Sequence, residues 1–180
     1  TYLSKRFDRT ETKKRIHYSS AMTLLNRSDG DDASEGSSYL DIVELIKSIS
    51  FRPIEDLEEL FHRVMFSVCV SNTDDHLRNH GFLYTENGWM LSPAFDINPN
   101  EDGIGLKLNI DEDDNALDID LVMLTAEYYL ISEERAEEIK NEVVNAVKQW
   151  RTVAKKHQAS ESEIALKSPA FNIITNYISS

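Results

Sequence analysis

The sequence predicts a mainly α-helical domain with a small β-hairpin, and three observations predict it. Apolar residues recur at helical spacing over 39–49, 56–70 and 133–156. Two short apolar and aromatic runs flank Asn87-Gly88, a strong hairpin signal. Serines stand ahead of several of these periodic segments, where a helix start needs an oxygen acceptor.

In chain order, Tyr2–Phe7 reads as extended and Ile16–Leu25 as a helix. Residues 26–38 are rich in Asp, Gly and Ser and read as a surface loop. Ser37 or Ser38 caps the next helix, with Asp41 placed for a capping box. Over Tyr39–Ile49, Leu40, Ile42, Val43, Leu45, Ile46 and Ile49 form a wide buried face. Pro53 interrupts. Asp56–Val70 is a strongly apolar helix that runs straight into the polar stretch beginning at Asn72. A buried helix feeding a polar loop anchors that loop rigidly. The hairpin follows, and Gly103–Ile110 alternates weakly, as a short strand would. Asp118–Tyr129 reads as a helix. Ser132 caps another that reaches about Lys156, with Glu133 and Glu134 in its first turn. Ser160 or Ser162 starts a short helix, and Pro169 opens a last one ending near Tyr177.

A chain of 180 residues fits one domain with a substantial core. Its single cysteine, Cys69, lies in an apolar run; this excludes a disulfide framework and suits the reducing cytoplasm. No uncharged run is long enough for a membrane span, and no signal peptide is visible. A net charge of −13 argues against the domain gripping nucleic acid directly. The acidic runs at 29–32, 111–114 and 133–138 read as solvated faces.

The chemistry-bearing stretch is Asn72-Thr73-Asp74-Asp75-His76-Leu77-Arg78-Asn79, followed by the hairpin and then Ser92-Pro93-Ala94-Phe95-Asp96-Ile97-Asn98-Pro99. Kinase catalytic loops place an Asp and an Asn five residues apart, and a second Asp after a short β-ribbon holds magnesium. Asp74 and Asn79 have that spacing, so Asp74 fits the base position better than Asp75. A hairpin returns the chain near its start, which predicts that Asp96 lands beside Asn79. Three oxygen-bearing side chains on two adjoining loops suit Mg2+, which takes its remaining ligands from water and phosphate. His76 is expected to hold the loop backbone or Asp96. Arg78 fits either a phosphate contact or a structural ion pair.

At these residues the chain resembles the HipA family of bacterial toxin kinases, specifically their C-terminal catalytic lobe. The family's T-D-x-H-x-x-N loop is matched by Thr73, Asp74, His76 and Asn79, and its aromatic-Asp-Ile motif by Phe95, Asp96 and Ile97. The family's E-R-F-D-R segment between lobes is matched by Arg6-Phe7-Asp8-Arg9, with Lys5 in place of the acid. The resemblance implies a protein-kinase-like C-terminal lobe of HipA type over residues 1–180, with the N-terminal ATP-binding lobe absent from this chain. It implies ATP and Mg2+ as cofactors and Ser/Thr phosphorylation as the activity. Asp74, His76 and Asn79 would form the catalytic loop, and Asn79 and Asp96 would be the metal ligands. Phe7, Asp8, Phe95 and Asp96 would lie at the nucleotide, with Asp8 and Arg9 buttressing the hinge. It further implies a HipB-like antitoxin partner, a protein substrate such as an aminoacyl-tRNA synthetase, and growth arrest as the outcome. Without the N-terminal lobe, an exposed apolar patch is expected near the N-terminus.

Two other readings stand beside it. The chain can act as an interaction module that binds an antitoxin without chemistry. Alternatively, Asp75, His76 and His80 can form a zinc or iron site of a metal-dependent hydrolase, although His80-Gly81-Phe82 reads as a strand start.

Overall fold

A computed structural model describes residues 4–179. Thr1, Tyr2 and Leu3, part of the stretch expected to be extended, lie outside the described residues, as does Ser180. The described elements are three strands, β1 (His17–Ser20), β2 (Gly81–Thr85) and β3 (Gly88–Leu91), and eight α-helices. The helices are α1 (Ala21–Leu24), α2 (Tyr39–Ile49), α3 (Pro53–Cys69), α4 (Ile119–Leu124), α5 (Glu133–Val147), α6 (Trp150–Lys156), α7 (Glu161–Lys167) and α8 (Asn172–Ser179). The protein is thus mostly helical with a small antiparallel sheet in the order β1-β2-β3. No described helix is long and apolar enough to cross a membrane.

The core forms where α3 meets α2, α5 and the sheet. Leu57, Leu60, Phe61, Val64, Met65 and Val68 are fully buried along α3. Phe61 packs edge-on against Tyr129 at 5.2 Å. Pro53 does not merely separate two helices. It occupies the first turn of α3, where its missing N–H costs nothing, so the helix starts three residues before Asp56. The capping box on α2 forms as expected: Ser38 Oγ accepts from Asp41 N while Asp41 Oδ2 accepts from Ser38 N. Ser132 and Ser160 cap α5 and α7.

Four expectations of secondary structure need correction, one of them the helix over 118–129, which ends at Leu124 and resumes as a 3-10 turn over Ala126–Tyr129. Residues 16–25 are not one helix: His17–Ser20 pairs with Gly81–Tyr84 as a third strand, and Ser20 then caps a single helical turn. The aromatic and hydroxylic run Tyr18-Ser19-Ser20 loses little by leaving the helix, and the open edge of the hairpin supplies its ladder partner. Gly103–Ile110 forms no strand. Leu106, Leu108 and Ile110 do alternate inward, but their neighbours at 33–39 include a 3-10 turn, so only the bridge Ser38↔Asn109 forms. The helix expected from Ser132 to Lys156 breaks at Lys148-Gln149, and Trp150 beyond the break stacks on Phe171 at 4.1 Å. The single apolar patch expected near the N-terminus does not form among the described residues: Tyr18, with Phe7 half-buried against it, lies on one face of the sheet, and the exposed Tyr84 lies on the other with His17 and Trp89.

Candidate functional site

The site is built outward from one face of α3. Asp56, Arg63 and Ser67 lie at positions i, i+7 and i+11, which share a helix face. All three are buried, and each reaches a different part of the site. Asp56 Oδ2 accepts from Leu91 N at 2.8 Å and Ser50 Oγ at 2.7 Å, fixing the end of β3. Arg63 donates through Nη2 to Ser92 O at 2.5 Å, holding the start of the Asp96 loop. Ser67 donates to Asp75 Oδ2 at 3.2 Å and accepts from Asn72 Nδ2 at 3.3 Å, holding the Asp74 loop. These three lie on the buried face of α3, whereas its other charged or polar residues, Glu55, Glu58, Glu59 and His62, are exposed or half-buried.

The loop after α3 turns at Ser71, whose φ is +52°. Its side chains then divide. Asp74 and Arg78 are exposed, His76 is half-buried, and Asp75, Asn79 and His80 are buried. Asn79 donates Nδ2 toward Asp74 O at 3.4 Å, which leaves its amide oxygen uncommitted. His76 meets Arg78 at 3.0 Å rather than Asp96, and Arg78 pairs with Asp29, the structural ion pair of its two expected roles. Asp74, His76 and Arg78 border a cavity of about 240 Å³ closed by residues 28–32 and Lys107.

Asp75 is the buried acid of the adjacent pair. Burial pushes its carboxyl up, but His80, Tyr39 and Ser67 outweigh that and hold it below the usual carboxylate range. Tyr39 Oη donates to Asp75 Oδ2 at 2.8 Å. His80 Nε2 lies 3.1 Å from Asp75 Oδ1, an ion-pair approach off the line of a good hydrogen bond. The zinc or iron reading of Asp75, His76 and His80 therefore fails: His80 turns inward onto Asp75 while His76 lies against Arg78. No group of three His, Cys, Asp or Glu able to hold a metal forms among the described residues.

The second loop, 93–100, is tied to the first. Asn98 N donates to Asn72 Oδ1 at 3.2 Å, Asn100 N to Ser71 O at 3.1 Å, and Asn100 Nδ2 to Thr73 Oγ1 at 2.7 Å. Asp96 sits in the left-handed region at φ +56°, which a non-glycine residue adopts at a cost and which recurs at functional sites. Its Oδ1 accepts from Asn98 Nδ2 at 2.9 Å, and the rest of its carboxylate faces outward. Asn79 and the residues on either side of Asp96, Phe95 and Ile97, border one small cavity of about 10 Å³. The donors that these loops offer, the Asn79 amide oxygen and the Asp96 carboxylate, are hard oxygens, the set that magnesium takes. Phe7 and Phe95 meet each other at 5.7 Å, so they form one aromatic wall with Tyr18 behind Phe7. Asp8 is committed to Arg6 and Arg9, at 2.6 and 2.8 Å, and buttresses the 6–16 segment, where Ile16 N donates to its carbonyl.

These elements define a helical lobe that presents two interlocked loops of acids and amides from the end of a buried helix. The family model described as "HipA-like C-terminal domain" matches residues 1–151, and the chain belongs to that family. It is 35% identical over 66 residues to "Putative kinase Y4mE" of Sinorhizobium fredii, covering 36% of this chain and 16% of that protein. It is 30% identical over 98 residues to "Putative kinase" of Haemophilus influenzae, covering 51% and 29%. Among solved structures it superposes, at a TM-score of 0.74 and 17% identity, on a chain from the complex of HipA, HipB and operator DNA of the Shewanella oneidensis MR-1 toxin–antitoxin system. That match covers 97% of this chain and 48% of the solved one, and it establishes the fold.

Proposed function

We propose that this chain is the C-terminal catalytic lobe of a HipA-like serine/threonine kinase, completed by an N-terminal ATP-binding lobe outside it. The observation that carries the reading is the stitching of the two loops through Asn72, Thr73, Asn98 and Asn100, which joins the segment of Asp74 and Asn79 to that of Asp96. Kinase chemistry needs a hydroxyl-orienting acid and two metal-binding side chains from separate segments held as one unit. Asn79 and Asp96 would hold magnesium, which when bound neutralises phosphate charge. The exposed Asp74 carboxylate, at the edge of the 240 Å³ cavity, accepts the proton or orients the hydroxyl of a Ser or Thr acceptor. His76 and Arg78 shape the wall of that cavity, and the Phe7–Phe95 wall offers a surface for the nucleotide. A HipB-like partner is proposed by analogy with the solved neighbour, and the net charge of −13 supports a DNA link through that partner rather than through this lobe.

The test is calorimetric titration with Mg-ATP beside Asp96→Asn. Magnesium-dependent binding that disappears in Asp96→Asn, with the melting temperature unchanged, is expected. Binding of equal strength in both proteins would remove Asp96 from the metal site and overturn the assignment.

A further inference from the structure

Asp75 and His80 have no part in the reading above, yet they are a deeply buried acid–imidazole pair at the site. Their side chains are 6% and 2% exposed. Their place in the sequence is specific. Asp75 directly follows Asp74, and His80 directly follows Asn79, so each member of the pair sits one residue C-terminal to a functional position. Asp75 is gripped from two helices, by Tyr39 of α2 and Ser67 of α3. His80 is held from a third element: its carbonyl accepts from Ala21 N at 2.7 Å, at the start of α1, while Met22 N reaches Leu77 O at 3.3 Å. The Tyr39 ring meets the His80 ring edge-on at 5.7 Å. The pair also lines the 10 Å³ cavity shared with Asn79 and Phe95, so a shift of His80 is felt at the Asp96 loop.

We infer that Asp75 and His80 are positioning residues, a buried staple that fixes the separation and facing of Asp74 and Asn79. The inference rests on the proposed kinase reading and deepens it. Neither side chain touches substrate or metal. Each sets the backbone of its neighbour, which carries the functional group. Partners behind a metal ligand typically change metal affinity by about 10–100-fold when removed. Two residues that act as one device also give losses that overlap rather than add.

The experiment titrates this chain with Mn2+, followed by electron paramagnetic resonance, and measures amide hydrogen exchange, for the parent, Asp75→Asn, His80→Gln and the double variant. We expect each single substitution to weaken Mn2+ binding by about 10-fold or more. Amides of 73–79 should exchange faster, those of α3 should not, and the double variant should bind no worse than the weaker single. Unchanged Mn2+ affinity, or losses that add in the double variant, would overturn the staple. If α3 amides also lose protection, Tyr39→Phe decides. It removes one donor to Asp75, and weaker Mn2+ binding with α3 protected supports the inference, while unchanged binding overturns it. A parent chain that binds no Mn2+ would overturn the metal site itself and the positioning role with it. That result is visible before any substitution, so it is distinct from failure of the staple alone.

Discussion

The two loops of the site are held in opposite ways. The 71–79 loop rests on buried polar groups, with Asp75 and His80 beneath it and Ser67 and Tyr39 gripping Asp75. The 93–100 loop lies on the surface. Its contacts to the first loop come from Asn98 and Asn100, and Pro93, Ala94, Asp96, Ile97 and Asn98 are exposed. A loop anchored by buried charge is costly to distort, because any opening strands an ion. A loop held by exposed amides opens at little cost. The 71–79 loop is therefore the stiffer of the two, and the Asp96 loop is the easier to displace.

The largest expected effect strikes the scaffold common to both loops. Asp56 is fully buried and accepts from Leu91 N and Ser50 Oγ, with Arg52 Nε at 3.0 Å. Asp56→Ala leaves the Leu91 N–H buried without a partner and should cost about 3 kcal/mol. In a domain of this size that lowers the melting temperature by about 6–12 °C, read by circular dichroism. A loss below about 1 kcal/mol would mean that α3 does not organise the site from below.

Next comes the junction of the two halves. A Cβ on Gly103 would fall 2.2 Å from Thr73 Cγ2 and 2.3 Å from its Oγ1, and Thr73 is the residue that Asn100 grips. Gly103→Ala should cost about 1–3 kcal/mol through overpacking. Amide exchange should rise around both Thr73 and Asn100, whereas a rise confined to residues 101–105 would show that the junction tolerates separation. Smaller again is Asn98→Ala. It removes the bond to Asp96 Oδ1 but keeps the backbone bond to Asn72, and it should cost about 0.5–1 kcal/mol. Exchange should quicken over 95–99 with 72–80 unchanged. Equal quickening in both loops would dissolve the distinction between them.

Much of this was legible from residue order. The 3.6 period and the Ser38–Asp41 box gave α2, and Asn87-Gly88 placed the hairpin. The spacing of Asp74, Asn79 and Asp96 identified two loops that the structure does tie together. What was not legible depends on tertiary partners. Ser20 can end a helix or begin one, and only the free edge of β2 makes 17–20 a strand. Asp74 and Asp75 are identical as letters, and only the packing of α2 and α3 decides which one faces inward. The pairing of Asp75 with His80 repeats the five-residue spacing of Asp74 and Asn79, a pattern that carries meaning once burial is known. The metal reading of His76 and His80 failed for the same reason, since the strand that begins at Gly81 turns the two rings apart.

The smallest effect tests whether the loop-bearing end of α3 is closed. Cys69 is the last residue of that helix, fully buried, and burial pushes its thiol up to about 12. The thiol of the unfolded chain ionises near pH 9.0. The unfolded state therefore releases its proton first. Stability linked to Cys69 is present below the unfolded value and falls as the pH rises toward the folded one. Between pH 7 and 9 the loss should be about 0.4 kcal/mol. Cys69→Ala changes stability by a constant packing amount but removes this pH-linked part. Urea unfolding of both proteins at pH 7 and 9 isolates it, because the difference between the two pH responses is the thiol's contribution. Equal pH responses would mean that water already reaches Cys69 in the folded state, and that the 71–79 loop is looser at its root than its buried Asp75–His80 contact implies.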